Sequence, residues 1–473
     1  MSPEGYEPDR SVVRGLSLTT GTAVIIAGVI GTGVFLKARV MTCNVGTPGL
    51  VLAAWAVAGL MCLAGALTYA ELGAMMPRSG GEYHFLNTAY GRIWAFLYGW
   101  IQIFIGKTGA QAALAAAFVI FLNDLTGGTL PALAVRLLPI GVISVATVLN
   151  LVSIGASGRV VSVLTAVKIA LVVGVGGAAF LLGDGSWSHY AESAAAARCD
   201  DVGPGARFGL AGFGAAMLGA LWGYNGWSNL TQVGGELKEP GRNLSKALIR
   251  GSLAVMALYL FANAAYFYAL APHAIASVST SSSVAREVAV RALGAGAAGL
   301  IAAGLMASSF GSLYVTTLTG GRILYALARD GLLPRALGAI SSTTRIPWLA
   351  ILCQGAWASV LALSGSFDIL TDYSMFGTLI LEAMAVAAVF VLRRTQPAAA
   401  RPCRTWGYPL VPIVSVGGSL LMIVSTLVAT PGRALAGLGL IAGGLPVYAY
   451  YARGLGPSTV SDWATRESAS GSG

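Results

Sequence analysis

Two stretches of this 473-residue chain interrupt the apolar segments that hold them. AGVIGTGVF (27–35) sits in a span near 16–42, and LWGYNGW (221–227) in a span near 209–235, about 190 residues later. Clustered glycines cost a helix about 1 kcal/mol each relative to Ala. A helix that stops there leaves backbone N–H groups free on one half and C=O groups free on the other. The N–H groups, with the helix dipole behind them, hold a carboxylate. The C=O groups accept from an ammonium. Two breaks therefore match both ends of a zwitterion without placing a full protein charge in the site, and breaks at corresponding points of two halves of a chain mark a transporter site. One break alone reads equally as glycine-mediated helix packing. The amides of Gly31, Thr32 and Gly33 are the carboxylate candidates; the carbonyls near Val29, Ile30, Trp222 and Asn225 are the ammonium candidates, with Gly223 and Tyr224 completing the same break.

Three charged residues within apolar spans stand out: Lys107, Lys168 and Glu382. A charge at membrane depth costs at least about 2.5–3.5 kcal/mol on insertion scales, so each is a functional candidate by default. Lys168 lies too near the centre of its span to snorkel easily to the interface. Lys107 follows Gly106 and reads either as functional or as a structural cation held by helix carbonyls. Glu382 titrates, pairs with a cation or faces a watery vestibule; the sequence leaves these open. Glu71 and Glu82 are expected to cap or tether the first internal loop. His84, His189 and His273 form no cluster, no catalytic set is visible, and neither a metal nor a cofactor is expected.

The elements that must position these residues follow from composition. The chain is 56% apolar and 10% charged, against about 25% charged in soluble domains. It could not cover a water-exposed surface, whereas lipid asks for an apolar one. Twelve apolar spans are expected, near 16–42, 48–75, 92–123, 132–154, 159–182, 209–235, 246–271, 292–328, 346–364, 368–392, 409–430 and 433–452. With the N-terminus inside, the internal segments hold 19 of the 29 Lys and Arg and the external segments 8, with Lys107 and Lys168 inside spans. That bias places both termini in the cytoplasm. The longest external loops are expected near 183–208 and 272–291. The first 15 residues lack the apolar run of a signal peptide. The five cysteines form no CxxC pair and are expected to be small packing residues, not a disulfide framework. No basic stripe interleaved with aromatics marks a nucleic-acid partner; the expected partners are the lipid bilayer and a small molecule.

From about residue 11 to 454 the chain resembles the amino acid–polyamine–organocation superfamily, and within it the L-type amino-acid transporters. GVIGTGVF resembles the helix 1 break, with Thr32 where Ser is usual. YAELGAMMPRSGGEYHF (69–85) resembles the end of helix 2 and the loop after it, and NLVSIGASGRV (150–160) followed by Lys168 resembles the helix 4–5 hairpin. GGELKEPGRNLSKALIRG (234–251), YLFANAAYF (259–267) and GGLPVYAYYARG (443–454) resemble the helix 6–7 loop, helix 7 and helix 12. The resemblance implies an all-α membrane protein with twelve transmembrane helices: two inverted five-helix repeats, with helices 1 and 6 broken, plus two C-terminal helices. It implies a cytoplasmic tail at 1–15, one transporter domain at 16–454 and a second cytoplasmic tail at 455–473, in the cell (inner) membrane. Trp222 resembles the aromatic lid over the substrate, Tyr259 the tyrosine that holds the two broken helices, and Lys168 a built-in cation where sodium-coupled relatives bind one between helices 1, 5 and 8. The loop 124–131 lacks the Cys that links animal L-type light chains to a heavy chain, so no disulfide-linked heavy chain is expected.

The expected activity is sodium-independent transport of neutral L-amino acids by alternating access, as exchange. Proton-coupled symport and amine or polyamine transport are the alternatives within the superfamily. A channel would need a continuous pore, usually from symmetric subunits. A membrane enzyme would need a motif such as HExxH or a P-loop, and none is present.

Overall fold

A computed structural model describes residues 15–453 except 78–79, 153, 198, 200–201, 280–281, 343, 345, 365–366 and 430. The tails expected at 1–15 and 455–473 lie outside the described residues, Gly15 apart, as do Arg78 and the side chains of 152–161, which include Arg159. Among the described residues every regular element is helical; one isolated bridge joins Leu16 to Leu237.

The first expected span is two helices, α1 (Leu18–Val29) and α2 (Gly33–Val45), bent by 40° at the break. Then come α3 (Pro48–Met75), the short α4 (Glu82–Tyr90), and α5 (Arg92–Ile101), which runs through a π-turn at Gln102–Gly106 into α6 (Lys107–Leu125). α7 (Ala132–Val152) and α8 (Ile154–Leu182) complete the first half. The second opens with α9 (Gly209–Tyr224), stopped at the second break, and the single turn α10 (Asn229–Gln232). α11 (Pro240–Ala269) is followed by the short helices α12 (Pro272–Ala276) and α13 (Val284–Leu293), then α14 (Ala297–Arg329), α15 (Trp348–Ala362), α16 (Phe367–Thr395), α17 (Leu410–Ala429) and α18 (Pro431–Ala452). α3 and α11 begin at prolines, whose fixed φ suits a first turn and whose missing N–H costs nothing there.

Nine helices among the described residues are long and apolar enough to cross a bilayer, and α1 with α2 makes a tenth. The other two expected spans are short helices. α9 has 16 residues because the break ends it at Tyr224, and α15 has 15. At 1.5 Å per residue these reach about 24 and 23 Å, less than the ~30 Å hydrocarbon core. The outer surface is apolar: Leu181, Leu210, Leu300, Leu421 and Val428 all stand exposed, as lipid-facing positions require.

Two expectations are corrected. Cys43, near the end of α2, and Cys199, in the loop before α9, form a disulfide across 156 residues of sequence. Their spacing gave no sign of pairing because the fold, not the sequence, brings those ends together. Cys62, Cys353 and Cys403 are free. Glu71 does not tether the first internal loop. Its buried carboxylate accepts from Arg393 at 2.6 Å, Arg401 at 3.2 Å and the Thr405 amide at 2.7 Å, clamping α3 to the end of α16 and the segment that follows it. Glu82 does sit at that loop, as the first residue of α4, accepting from Thr231 and Gln232 at 3.4 Å.

Closing so long a loop is worth about 5 kcal/mol in the chain-entropy account of disulfides. Cys43→Ser is expected to lower the thermal unfolding midpoint in detergent by at least about 3 °C. Dithiothreitol should do the same to the wild type and nothing further to the variant. An unchanged midpoint in both would mean that the bridge does not constrain the fold.

Candidate functional site

α1 ends at Val29 because the glycines beyond it favour no helix, and α2 begins again at Gly33. Across this gap the amides of Gly31, Thr32 and Gly33 donate to no backbone carbonyl among the described residues. The carbonyls are treated differently. The Lys168 ammonium donates to the Ala27 carbonyl and, at 2.6 Å, to Ser312 Oγ. The Ser312 hydroxyl lies 3.1 Å from the Ala27 carbonyl and 3.2 Å from that of Ile30. Ser308 donates to the Gly31 carbonyl at 3.2 Å. The Tyr259 hydroxyl is 2.8 Å from both the Val29 and the Gly223 carbonyls, so its single proton serves one end of each broken helix in turn.

The second break runs Asn225–Ser228. Gly226 adopts φ +105°, and Trp222 swings its indole N–H to 3.4 Å from Thr32 Oγ1. The Trp222 carbonyl accepts the Asn225 amide at 3.1 Å. Asn229, the first residue of α10, accepts from Lys107 Nζ at 2.6 Å; Lys107 also reaches Thr319 Oγ1 at 3.4 Å. Lys107 thus bonds side-chain oxygens on α10 and α14, not helix carbonyls.

A cavity lies between the two breaks. Of the residues expected to bind substrate, Val29, Gly31, Thr32, Gly33, Trp222 and Asn225 line it. Ile30, Gly223 and Tyr224 do not. Ile30 is wholly buried behind the wall, Gly223 backs onto Gly33, and Tyr224 donates to the Trp55 carbonyl at 3.1 Å in an aromatic group with Trp55 and Tyr259. Lys107 and Glu382 also line the cavity, whereas Lys168 and Tyr259 stand behind it and hold its backbone. Sequence reading missed Asn229, Ser312, Gln102 and Thr378 on the same wall. The π-turn that aims Gln102 and Lys107 inward has no periodicity to betray it, though such turns cluster at functional sites.

The family model for amino acid permeases matches residues 16–442. The chain belongs to the amino acid permease family. This permease is 32% identical to the serine/threonine exchanger SteT of Bacillus subtilis (strain 168) over 94% of its own length and 98% of that protein's. It is 28% identical to the b(0,+)-type amino acid transporter 1 of Mus musculus over 89% of this chain and 84% of the relative. It is also 28% identical to the human large neutral amino acids transporter small subunit 2 over 94% of this chain and 84% of that protein. The superfamily read from the motifs is thereby shown, and with it a multi-pass membrane protein of amino-acid transport rather than an enzyme.

Gly33 and Gly31 differ in what hems them in. A Cβ on Gly33 would lie 2.4 Å from the Gly223 Cα, backbone against backbone, with nowhere to go. One on Gly31 would meet the Ser312 hydroxyl at 3.0 Å, a side-chain end that can turn aside. Gly33→Ala is therefore expected to cut amino-acid uptake at least about a hundredfold, and Gly31→Ala by about tenfold or less. Uptake by the purified variants in proteoliposomes measures both; an active Gly33→Ala would show that the two breaks need not touch.

Proposed function

We propose that this permease exchanges small neutral L-amino acids across the cell membrane by alternating access, without sodium. The observation that carries the reading is the pair of breaks around one cavity. Open amides at 31–33 suit a carboxylate, and the wall suits a small polar substrate. Its side chains are mainly polar, with Thr32, Asn225, Ser312 and Thr316 set against few apolar ones such as Leu114. A large branched or aromatic side chain would want the reverse. The exchanger named for serine and threonine among the relatives supports the same substrate class.

Sodium independence rests on Lys168. Its ammonium joins α8 to the end of α1 and to Ser312 of α14, a place where a bound cation would otherwise satisfy the same oxygens. Charge-assisted hydrogen bonds worth about 1.5–3 kcal/mol each offset the cost of burying it. The twelve-helix topology, with helices 1–5 and 6–10 as inverted repeats, and both termini in the cytoplasm belong to the same proposal. The charge bias supports it. So does the disulfide, which lies on the face expected outside, where thiols oxidise. On that topology α4 faces the cytoplasm. No disulfide-linked heavy chain is required.

In proteoliposomes, internal serine should accelerate uptake of labelled serine more than a pH gradient does; the opposite order would favour proton symport. Replacing sodium with choline should change nothing, and a steep sodium requirement would sink the built-in cation. Amino-acid esters and decarboxylated amines should fail to compete. Lys168→Ala should lower exchange at least about tenfold while folded protein is still recovered, since the hydroxyls of Ser312 and Ser308 remain for the α1 carbonyls. Equal losses of exchange and of folded yield would make Lys168 structural only.

A further inference from the structure

The cavity has a second charged end that the breaks do not explain. Glu382 of α16 lines it, partly buried, and makes no hydrogen bond or ion pair with any described residue. Lys107 lines it too, with two of its three N–H groups committed to Asn229 and Thr319. No ion pair joins Lys107 to Glu382 or to the nearby Glu82, yet all three act on one another electrostatically. Glu82 is wholly buried and leaves Oε1 without a partner. An unpaired carboxylate beside an apolar protein interior is expensive. Here Lys107 acts on Glu382 through the field alone, and no described residue gives it a hydrogen bond to offset the rest of that cost.

Position separates this end from the breaks. Asn225 of the second break touches Met375 of α16 at 3.3 Å. Glu382 lies seven residues further along that helix, about 10 Å at 1.5 Å per residue. A small amino acid whose carboxylate rests on the amides at 31–33 does not span that distance as well. The charged end lies toward α4, whose first residue is Glu82.

We propose that Glu382 and Lys107 form a second amino-acid position, on the α4 side of the cavity, that receives the zwitterion before or after it occupies the breaks. The ammonium sits on Glu382, and the carboxylate takes the third N–H of Lys107. Two carboxylates against one lysine bias the position toward the ammonium end. Glu382 thereby sets affinity on the cytoplasmic face alone. This inference rests on the carrier reading above.

The test uses right-side-out vesicles loaded with graded serine, with labelled serine outside. Glu382→Gln is expected to raise the internal serine concentration for half-maximal exchange about tenfold or more, the loss of one charge-assisted contact. The internal half-saturation should rise several-fold more than the external one, whatever happens to the maximal rate. Equal shifts on both faces, or no shift on either, overturn the proposal. Glu382→Met, of similar length, gives the same readout should Glu382→Gln not be recovered from the membrane. Failure of the carrier reading looks different: wild-type uptake would then be indifferent to internal serine, and efflux from loaded vesicles would still report the internal half-saturation of both proteins.

Discussion

Every other feature of this permease depends on one constraint: backbone exposed at membrane depth must find partners, because lipid offers none. Breaking α1 at Val29 frees carbonyls and amides together. The protein answers the carbonyls itself, through Lys168 and Ser312 at Ala27, Tyr259 at Val29 and Ser308 at Gly31. The amides of 31–33 donate to no backbone carbonyl among the described residues, and all three residues line the cavity. That asymmetry gives the site its polarity. An open row of N–H groups is an anion site in waiting, while the satisfied carbonyls keep their second lone pairs for an ammonium.

The same economy explains the glycines. Gly33 is small less for the ligand than for Gly223, whose backbone occupies the space a Cβ would need. At Gly31 the space a Cβ would need is bounded by the Ser312 hydroxyl at 3.0 Å. At Gly33 the close approach is between the two broken helices themselves. Tyr259 closes the contact, one hydroxyl shared between the carbonyls on either side of it. The breaks therefore form one site rather than two adjacent ones.

What could be read from the sequence was local or motif-bound. The α1 break follows from residue type at a recognisable place and lies where that reading put it; Lys168 is buried within α8, and Tyr259 bonds the carbonyls of Val29 and Gly223. The span count followed from apolar runs, but α9 and α15 are shorter than the runs that contain them. Hydropathy continues through a break where the helix stops. Contacts between distant segments left no trace. Cys43 and Cys199 have no spacing to mark them, and Asn229 and Ser312 are ordinary polar residues until the fold sets them opposite Lys107 and Lys168. Side-chain direction was equally hidden: Tyr224 sits in the break yet points to Trp55, away from the cavity.

The bonding also divides the two halves of the first span between different neighbours. α1 is tied to α8 and α14 by Lys168, Thr165 and Ser312, and to α11 by Tyr259. α2 is tied elsewhere. Lys37 donates to Thr371 of α16 at 3.1 Å, Asn44 bonds the Ala206 carbonyl at 2.7 Å, and the disulfide joins Cys43 to the loop that leads into α9. α2 packs along α9 itself. The second half of the first broken helix is thus fastened to α9, and α1 to the helices around it. A carrier that opens its two faces in turn needs parts that move as units and a short joint between them. Residues 30–32 link the two helices and suit that joint: the Ile30 amide still bonds the Ile26 carbonyl at 2.9 Å, but the amides of Gly31 and Thr32 donate to no backbone carbonyl among the described residues, so little helical bonding opposes a bend there.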